Sequence, residues 1–294
     1  MKKMISLALC AAMAASLAAC GSSSSSSTTA AATEAASKVE TTAAASKEES
    51  TEAASKAAAA EDLTANSADW KLAEAGKLHM ATNAAFPPYE STTDNGGYEG
   101  IDVEIATAIA DKLGLELAVD DMDFSSVITS VASGKSDIAM AGLTVNEERK
   151  QNLDFTDSYQ NAVQSIIVKD DSEIKTADDL GNANAIGCQE GTTGYIYCSD
   201  SYGDKAIAYQ DGATAVQALV QGKVDAVVID NEPAKAYVAA NQGLKILDTP
   251  FEDEDYAIGV AKGNTELLKS VNGALEQLQQ DGTVKKIVDK YITE

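Results

Sequence analysis

The chain of 294 residues contains one histidine, one tryptophan, four prolines and four cysteines, and aromatic side chains make up only 5% of it. Each scarcity excludes something. With His79 alone and no Cys-x-x-Cys, a zinc site of the usual nitrogen and sulfur type has no ligands, and no metal or other cofactor is expected. A serine–histidine–aspartate arrangement would have to use His79, which stands between Leu78 and Met80 in a strand-like run and reads as structural. Basic residues are outnumbered 46 to 22 by acidic ones, a formal charge of −24, and such a balance repels nucleic acid and anionic lipid. The Gly191-Thr192-Thr193-Gly194 turn lacks the Gly-Lys-Ser/Thr ending of a phosphate loop, so a nucleotide site is not expected there. The chain also carries no ATPase motif and no permease segments.

The first twenty residues are different in kind. Lys2 and Lys3 precede an almost unbroken apolar stretch over residues 4–17, and Leu17-Ala18-Ala19-Cys20 closes it. This is the layout of a secretory signal with a small-residue cleavage site. The apolar run is shorter than the roughly 20 residues a spanning helix needs, so residues 1–19 are expected to be removed. Leu-Ala-Ala-Cys resembles the lipobox of bacterial lipoproteins, in which the cysteine is acylated with palmitate-type chains and becomes the first mature residue. Loss of Lys2 and Lys3 takes the formal charge from −24 to −26. Cys10 leaves with the signal and Cys20 carries lipid, which leaves Cys188 and Cys198 as either a disulfide or two buried thiols.

Residues 20–69 are built mainly of Ala, Ser, Thr, Lys and Glu, and the hexapeptide Thr33-Glu34-Ala35-Ala36-Ser37-Lys38 recurs at residues 51–56. With almost no large apolar side chain no core forms there, and the segment reads as a tether. As a coil of roughly 45 residues it reaches about 35 to 40 Å.

From residue 70 onward strands alternate with helices. Strands are expected at residues 78–82, 115–119, 137–141, 185–188, 206–209, 224–229 and 256–260. Ile101, Ile105, Ile109 and Leu113 fall four apart on one helix face ahead of Gly114, and further helices are expected at 125–133, 192–200, 213–221, from Pro233, at 265–280 and at 283–291. Alternation of this kind implies mostly parallel sheets with helices on both faces. Gly134-Lys135-Ser136-Asp137 and Gly222-Lys223-Val224-Asp225 each stand between a helix end and a strand start, which points to two α/β lobes of similar plan. Ligands of such sheets collect at the carboxyl ends of the strands, so two facing lobes make a clamshell.

Several residues stand at those ends. Thr144 and Glu147 fit a capping box, whose helix start would attract an anion, and Arg149 adds a bidentate partner for a carboxylate. A capped surface helix with a solvated arginine is the plainer reading. Asp230 follows a buried-looking run and either caps the next helix or holds an ammonium group. Phe86 and Phe124 occupy turns beside the same ends, as cleft walls or as ordinary lobe packing.

The segments ATNAAFPPY (81–89), GYEGID (97–102), MDF (122–124), GLT (142–144) with Glu148-Arg149, DFTDSY (154–159), GTT (191–193) and DAVVID (225–230) together resemble the family 3 solute-binding proteins of amino-acid ABC transporters. The resemblance spans nearly all of the chain after residue 70. It implies a two-lobed periplasmic-binding-protein-like (type II) clamshell, with residues 70–160 plus 256–294 as lobe 1 and residues 161–255 as lobe 2, and hinge crossings near 160–163 and 249–256. It implies that Arg149, with Gly142, Thr144 and backbone N–H groups near Thr193, clamps an α-carboxylate, that Asp230 takes the α-ammonium, and that Phe86 and Phe124 flank the ligand. Selectivity is expected at Asn83 and Gln189, with Glu190 and Tyr89 as lesser candidates; an amide at Asn83 favours an uncharged polar side chain such as that of glutamine or cystine, while Glu190 could serve a cation. The implied protein is not an enzyme. It is a monomer on the extracellular face of the membrane, held by its lipid, that passes a free amino acid to the permease subunits of an importer. A dehydratase of prephenate-like acids on the same scaffold would need an acid such as Glu190 in the cleft. A sensory amino-acid-binding module would act through a separate partner.

Overall fold

The computed structural model describes residues 62–248 and 252–293. The signal peptide, Cys20 and most of the tether lie outside them.

One lobe grows around β1 (Lys77–Thr82), which is followed by a small antiparallel sheet of β2 (Ala85–Phe86), β3 (Glu90–Thr92) and β4 (Tyr98–Glu99). In α1 (Ile101–Leu113) the stripe Ile101, Ile105, Ile109 and Leu113 is buried. Each such side chain contributes about 1.5 to 3 kcal/mol when taken from water. Gly114 ends the helix in the left-handed conformation, its N–H donating to the carbonyls of Ala110 and Asp111. β5 (Glu116–Asp121) and, after α2 (Phe124–Ala132), β6 (Ile138–Ala139) lie parallel to β1 on its two sides.

The single turn α3 (Arg149–Asn152) leads into β7 (Leu153–Lys169), a strand of 17 residues. Its length has no counterpart in the sequence expectation, because burial along it is irregular and no period announces one element. The other lobe follows with β8 (Ile186–Gln189), α4 (Thr193–Tyr202), β9 (Ala206–Tyr209), α5 (Gly212–Val220), β10 (Ala226–Asp230), α6 (Asn231–Ala240) and β11 (Leu244–Ile246). Then β12 (Asp253–Ala261) returns to the first lobe, and α7 (Thr265–Gln280) and α8 (Thr283–Tyr291) cover it.

The sheet path runs β5-β1-β6-β12-β7-β10-β8-β9, with β11 on β7. The outer pairings β1–β5, β1–β6, β8–β10 and β8–β9 are parallel. In the middle β7 is antiparallel to β12 from Leu153 to Val163, then to β10 from Gln164 to Val168. One strand therefore serves both sheets, changing partner between residues 163 and 164. The fold is α/β and two-lobed, with the antiparallel strands of the main sheet gathered at the join.

The two Gly-Lys-x-Asp segments do the same work in each lobe. Gly134 and Gly222 carry φ of 74° and 71° behind α2 and α5. Asp137 accepts from the backbone N–H of Ala73 and of His79, at the start of β1, and Asp225 accepts from the N–H of Asn184, just before β8. Each aspartate thus ties its own strand's entry to that of the parallel neighbour.

Two expectations are corrected. Residues 62–69, assigned to the tether by composition, lie on the body: Leu63 packs against the core and Asn66 donates to Glu266 at 2.7 Å. One leucine and one asparagine suffice to dock a short turn on α7, and composition averages them away. The capping box at Thr144 does not form, since the Thr144 hydroxyl donates to Glu254 at 2.8 Å and the helix begins only at Arg149. Asn146 instead accepts from the Arg149 N–H at 2.8 Å.

Cys188 on β8 and Cys198 on α4 are both free thiols with no exposed surface. Hydrogen bonding between them, then burial, raises the Cys188 thiol far above its ordinary range. Both are therefore expected to resist alkylation in the folded protein and to react in denaturant, as peptide mapping after iodoacetamide treatment will show.

Candidate functional site

A cavity lies between the lobes, lined by Asn83, Phe86, Glu90, Phe124, Ala141, Gly142, Thr144, Arg149, Gln189, Thr192, Thr193 and Asp230. All nine residues singled out in the sequence as ligand-binding are brought to it. Of the two lesser candidates, Tyr89 is buried behind the wall, stacked on Phe86 at 5.8 Å and edge-on to Tyr256 at 5.2 Å. Glu190 is exposed and does not line the cavity.

Arg149 is 4% exposed and sits with its guanidinium carbon 5.4 Å from the centre of the Phe124 ring. It donates to the Thr144 carbonyl at 2.8 Å within its own lobe and to the Gly191 carbonyl at 3.2 Å in the other. Burial depresses its pKa, and the charges of Glu254 and Asp230 oppose that. A guanidinium has five N–H donors in one plane, so donors remain for a carboxylate.

Asp230 stands at the end of β10, where α6 begins, yet its side chain makes no capping bond. It accepts instead from the side-chain amide of Gln164, which also donates to Glu254 at 3.1 Å. Burial and the neighbouring Glu254 push Asp230 well above the usual carboxylate range. A cation placed beside it would reverse that. At the start of α4 the Thr192 side chain takes the Tyr195 N–H, and the helix's first N–H groups belong to the wall that Thr192 and Thr193 form.

Gly142 is fixed from both sides. Its N–H donates to Asp102 at 2.9 Å, its φ is 54°, and an added Cβ would lie 2.7 Å from the Phe86 ring. The same Asp102 oxygen accepts from the Tyr159 hydroxyl at 2.8 Å. Asp102 therefore anchors the loop that carries Thr144 and Arg149.

The lobes also touch directly. Gln189 donates to Asn83 at 2.8 Å, Gln210 to Asp123 at 2.7 Å, and the Tyr237 hydroxyl to the Ala85 carbonyl at 2.6 Å. Asn83 in turn donates to the Met122 carbonyl at 2.9 Å.

Glu90, Gln164 and Glu254 are members of the site that sequence reasoning does not find. Glu90 directly follows the ATNAAFPPY segment, and that adjacency is the one signal available for it. Gln164 and Glu254 come from β7 and β12 at the join, and only pairing of those strands brings them together beside Asp230 and Thr144. Among the described residues no cluster of three or more His, Cys, Asp or Glu is arranged to hold a metal ion. No helix among them is long and apolar enough to cross a membrane.

Residues 78–294 match the family described as bacterial extracellular solute-binding proteins, family 3. A probable histidine-binding protein of Neisseria gonorrhoeae is 32% identical over 226 residues, 74% of this chain and 84% of that one. The arginine-binding extracellular protein ArtP of Bacillus subtilis is 34% identical over 239 residues, 79% of this chain and 92% of its own. Among solved structures, an ancestral arginine-binding protein bound to glutamine superposes with a TM-score of 0.71 at 41% identity, covering 75% of this chain and 100% of that one. A family match over most of the chain, relatives above 30% identity and a shared two-lobed fold agree: this chain belongs to the family 3 bacterial extracellular solute-binding proteins.

Proposed function

We propose that this protein captures a free amino acid between its lobes and hands it to the permease of an ABC importer. The observation that carries the reading is a pair of opposite buried charges, Arg149 from one lobe and Asp230 from the other, lining one cavity. Such a pair suits the carboxylate and ammonium that every free α-amino acid carries. Residues 70–160 with 256–294 and residues 161–255 form the two jaws, hinged where β7 and β12 cross. Acylation at Cys20 holds the monomer at the outer face of the membrane. A Cys20→Ala variant is then expected to lose incorporation of labelled palmitate and to be released into the medium. The role is capture, with no chemical step.

The side-chain end is best read as cationic. Asn83 and Gln189, which by sequence favour an uncharged polar group, bond to one another, and Asn83 also bonds to Met122. Once Arg149 and Asp230 are matched by the ligand's α-groups, the remaining ionisable side chain on the wall is Glu90, which is fully buried. A glutamine-like amide is the second reading, favoured because the Asn83–Gln189 pair can exchange one mutual bond for two to a ligand amide. The relatives named above include both an arginine-binding protein and one bound to glutamine.

A thermal-shift panel of the twenty amino acids plus cystine tests both levels. A saturable rise in melting temperature with arginine or lysine, exceeding that with glutamine, is expected by mass action. No shift with any amino acid overturns the function, and a preference for glutamate overturns the charge reading.

A further inference from the structure

Glu90 has unusual company. It opens β3 with no exposed surface, and no N–H or O–H donor among the described residues reaches either of its carboxyl oxygens. Asp102, at the start of α1, has one oxygen held by Gly142 and Tyr159 and the other, Oδ1, equally without a donor. Two buried carboxyls that act on each other without donors to spare disfavour a second negative charge, so one of them is held toward its protonated form.

The groups facing Glu90 from the other elements supply no cation to replace that proton. They are Asp102 on α1, Asp121 at the end of β5 and Asp230 at the end of β10, together with the hydroxyls of Tyr89, Tyr159 and Tyr237. Arg149 lines the same cavity, but its charge is met chiefly by Glu254 and Asp230. Burial, then the carboxylate of Asp102, pushes Glu90 well above the usual range. Burial lifts Asp102 only to about 6, because the Gly142 N–H and the Tyr159 hydroxyl donate to it. Of the two, Glu90, with no donor to either oxygen, is the one held further toward its protonated form.

We propose that Glu90 is a proton-exchanging specificity residue, which releases its proton to solvent when a cationic ligand side chain binds and keeps it when the side chain is neutral. The O–H bond of Glu90 breaks, the electron pair stays on the carboxylate, and buffer takes the proton. The cavity's net charge is then the same after a cation enters as it is with a neutral side chain, so no uncompensated charge is buried. This rests on the cationic reading above.

Proton release makes binding pH-dependent. If a proton leaves on binding, the association constant for a cationic amino acid rises by up to about tenfold per pH unit while Glu90 holds its proton, and that for a neutral amino acid stays flat. Calorimetry of the full chain with L-arginine and L-glutamine, in phosphate and in Tris at pH 7, reads the proton directly. The expected result for arginine is a heat that differs between the buffers by the ionisation heat of about half to one proton, with no difference for glutamine. In Glu90→Gln, arginine affinity is expected to fall at least about tenfold, and the buffer difference to vanish, a change that a merely structural role would not produce. A wild-type pH series from about 5.5 to 8.5 gives the same answer without any variant. Arginine binding with equal heats in both buffers and a flat pH profile overturns the proposal while leaving the cationic reading standing. Failure of arginine and lysine to bind at all overturns both.

Discussion

Arg149→Ala is expected to abolish amino-acid binding at micromolar ligand. The side chain is almost fully buried, and its guanidinium ties the Thr144 carbonyl of one lobe to the Gly191 carbonyl of the other. Alanine removes the planar donor set proposed to hold the α-carboxylate. It also leaves Asp230 and Glu254 without the cation that offsets them. Breaking one side of a buried, hydrogen-bonded charge pair costs about 3 to 5 kcal/mol. At about 1.4 kcal/mol per decade that is a loss of roughly 10² to 10³·⁵ in affinity. Arg149→Lys is expected to recover only part of it, because an ammonium cannot donate two parallel bonds to a carboxylate while also reaching both carbonyls. Titration calorimetry on the wild type and both variants decides the matter, and undiminished affinity in Arg149→Ala would remove the carboxylate clamp from the proposed function.

A second large effect is expected from backbone crowding alone. Gly100 precedes α1 with φ of 131°, and a Cβ there would lie 2.1 Å from the Tyr89 carbonyl oxygen and 2.9 Å from the Glu90 nitrogen. Both contacts are with backbone, so no side chain can rotate away. The same segment receives the first N–H groups of α1, Ile101 donating to Pro88 and Asp102 to Tyr89. Alanine must therefore either adopt a φ that L residues rarely reach or push the start of α1 off the 88–90 segment. We expect Gly100→Ala to destabilise the fold by about 3 kcal/mol or more, which for a body of this size lowers the melting temperature by roughly 6 to 12 °C. Ligand affinity should fall with it, since the displaced segment carries Glu90 and Asp102. A melting temperature within about 2 °C of wild type would show that the loop yields more easily than its contacts indicate.

Much of the cavity is legible in the sequence because its residues sit at element ends that local signals mark clearly. Asn83 and Phe86 follow β1, Gly142 and Thr144 follow β6, Gln189 and Thr193 flank the turn after β8, and Asp230 ends β10. Strand ends are announced by glycine, proline and a change of period, and the resemblance then assigns their roles. For Arg149 the local signal is partly misleading. The capping box at Thr144 does not form, and the threonine hydroxyl turns to Glu254 on a strand more than a hundred residues later. A local motif competes with every partner the fold brings close, and here the distant carboxylate wins.

By itself the sequence determined the alternation of strands and helices, the buried stripe of α1, the paired Gly-Lys-x-Asp joints and most of the residues that line the cavity. The first three follow from period, from chain-ending residues and from spacing, all of which are local, and the cavity residues are largely what the family resemblance implies. The tertiary structure alone decided that residues 153–169 are one strand shared by two sheets, that Cys188 and Cys198 remain thiols, and that Asn83 and Gln189 satisfy each other. It also decided that Glu90 and Asp102, which belong to a strand and a helix with no common period, meet out of reach of water. Burial and pairing between separate elements set the charge of a group, and neither is written in the neighbours along the chain.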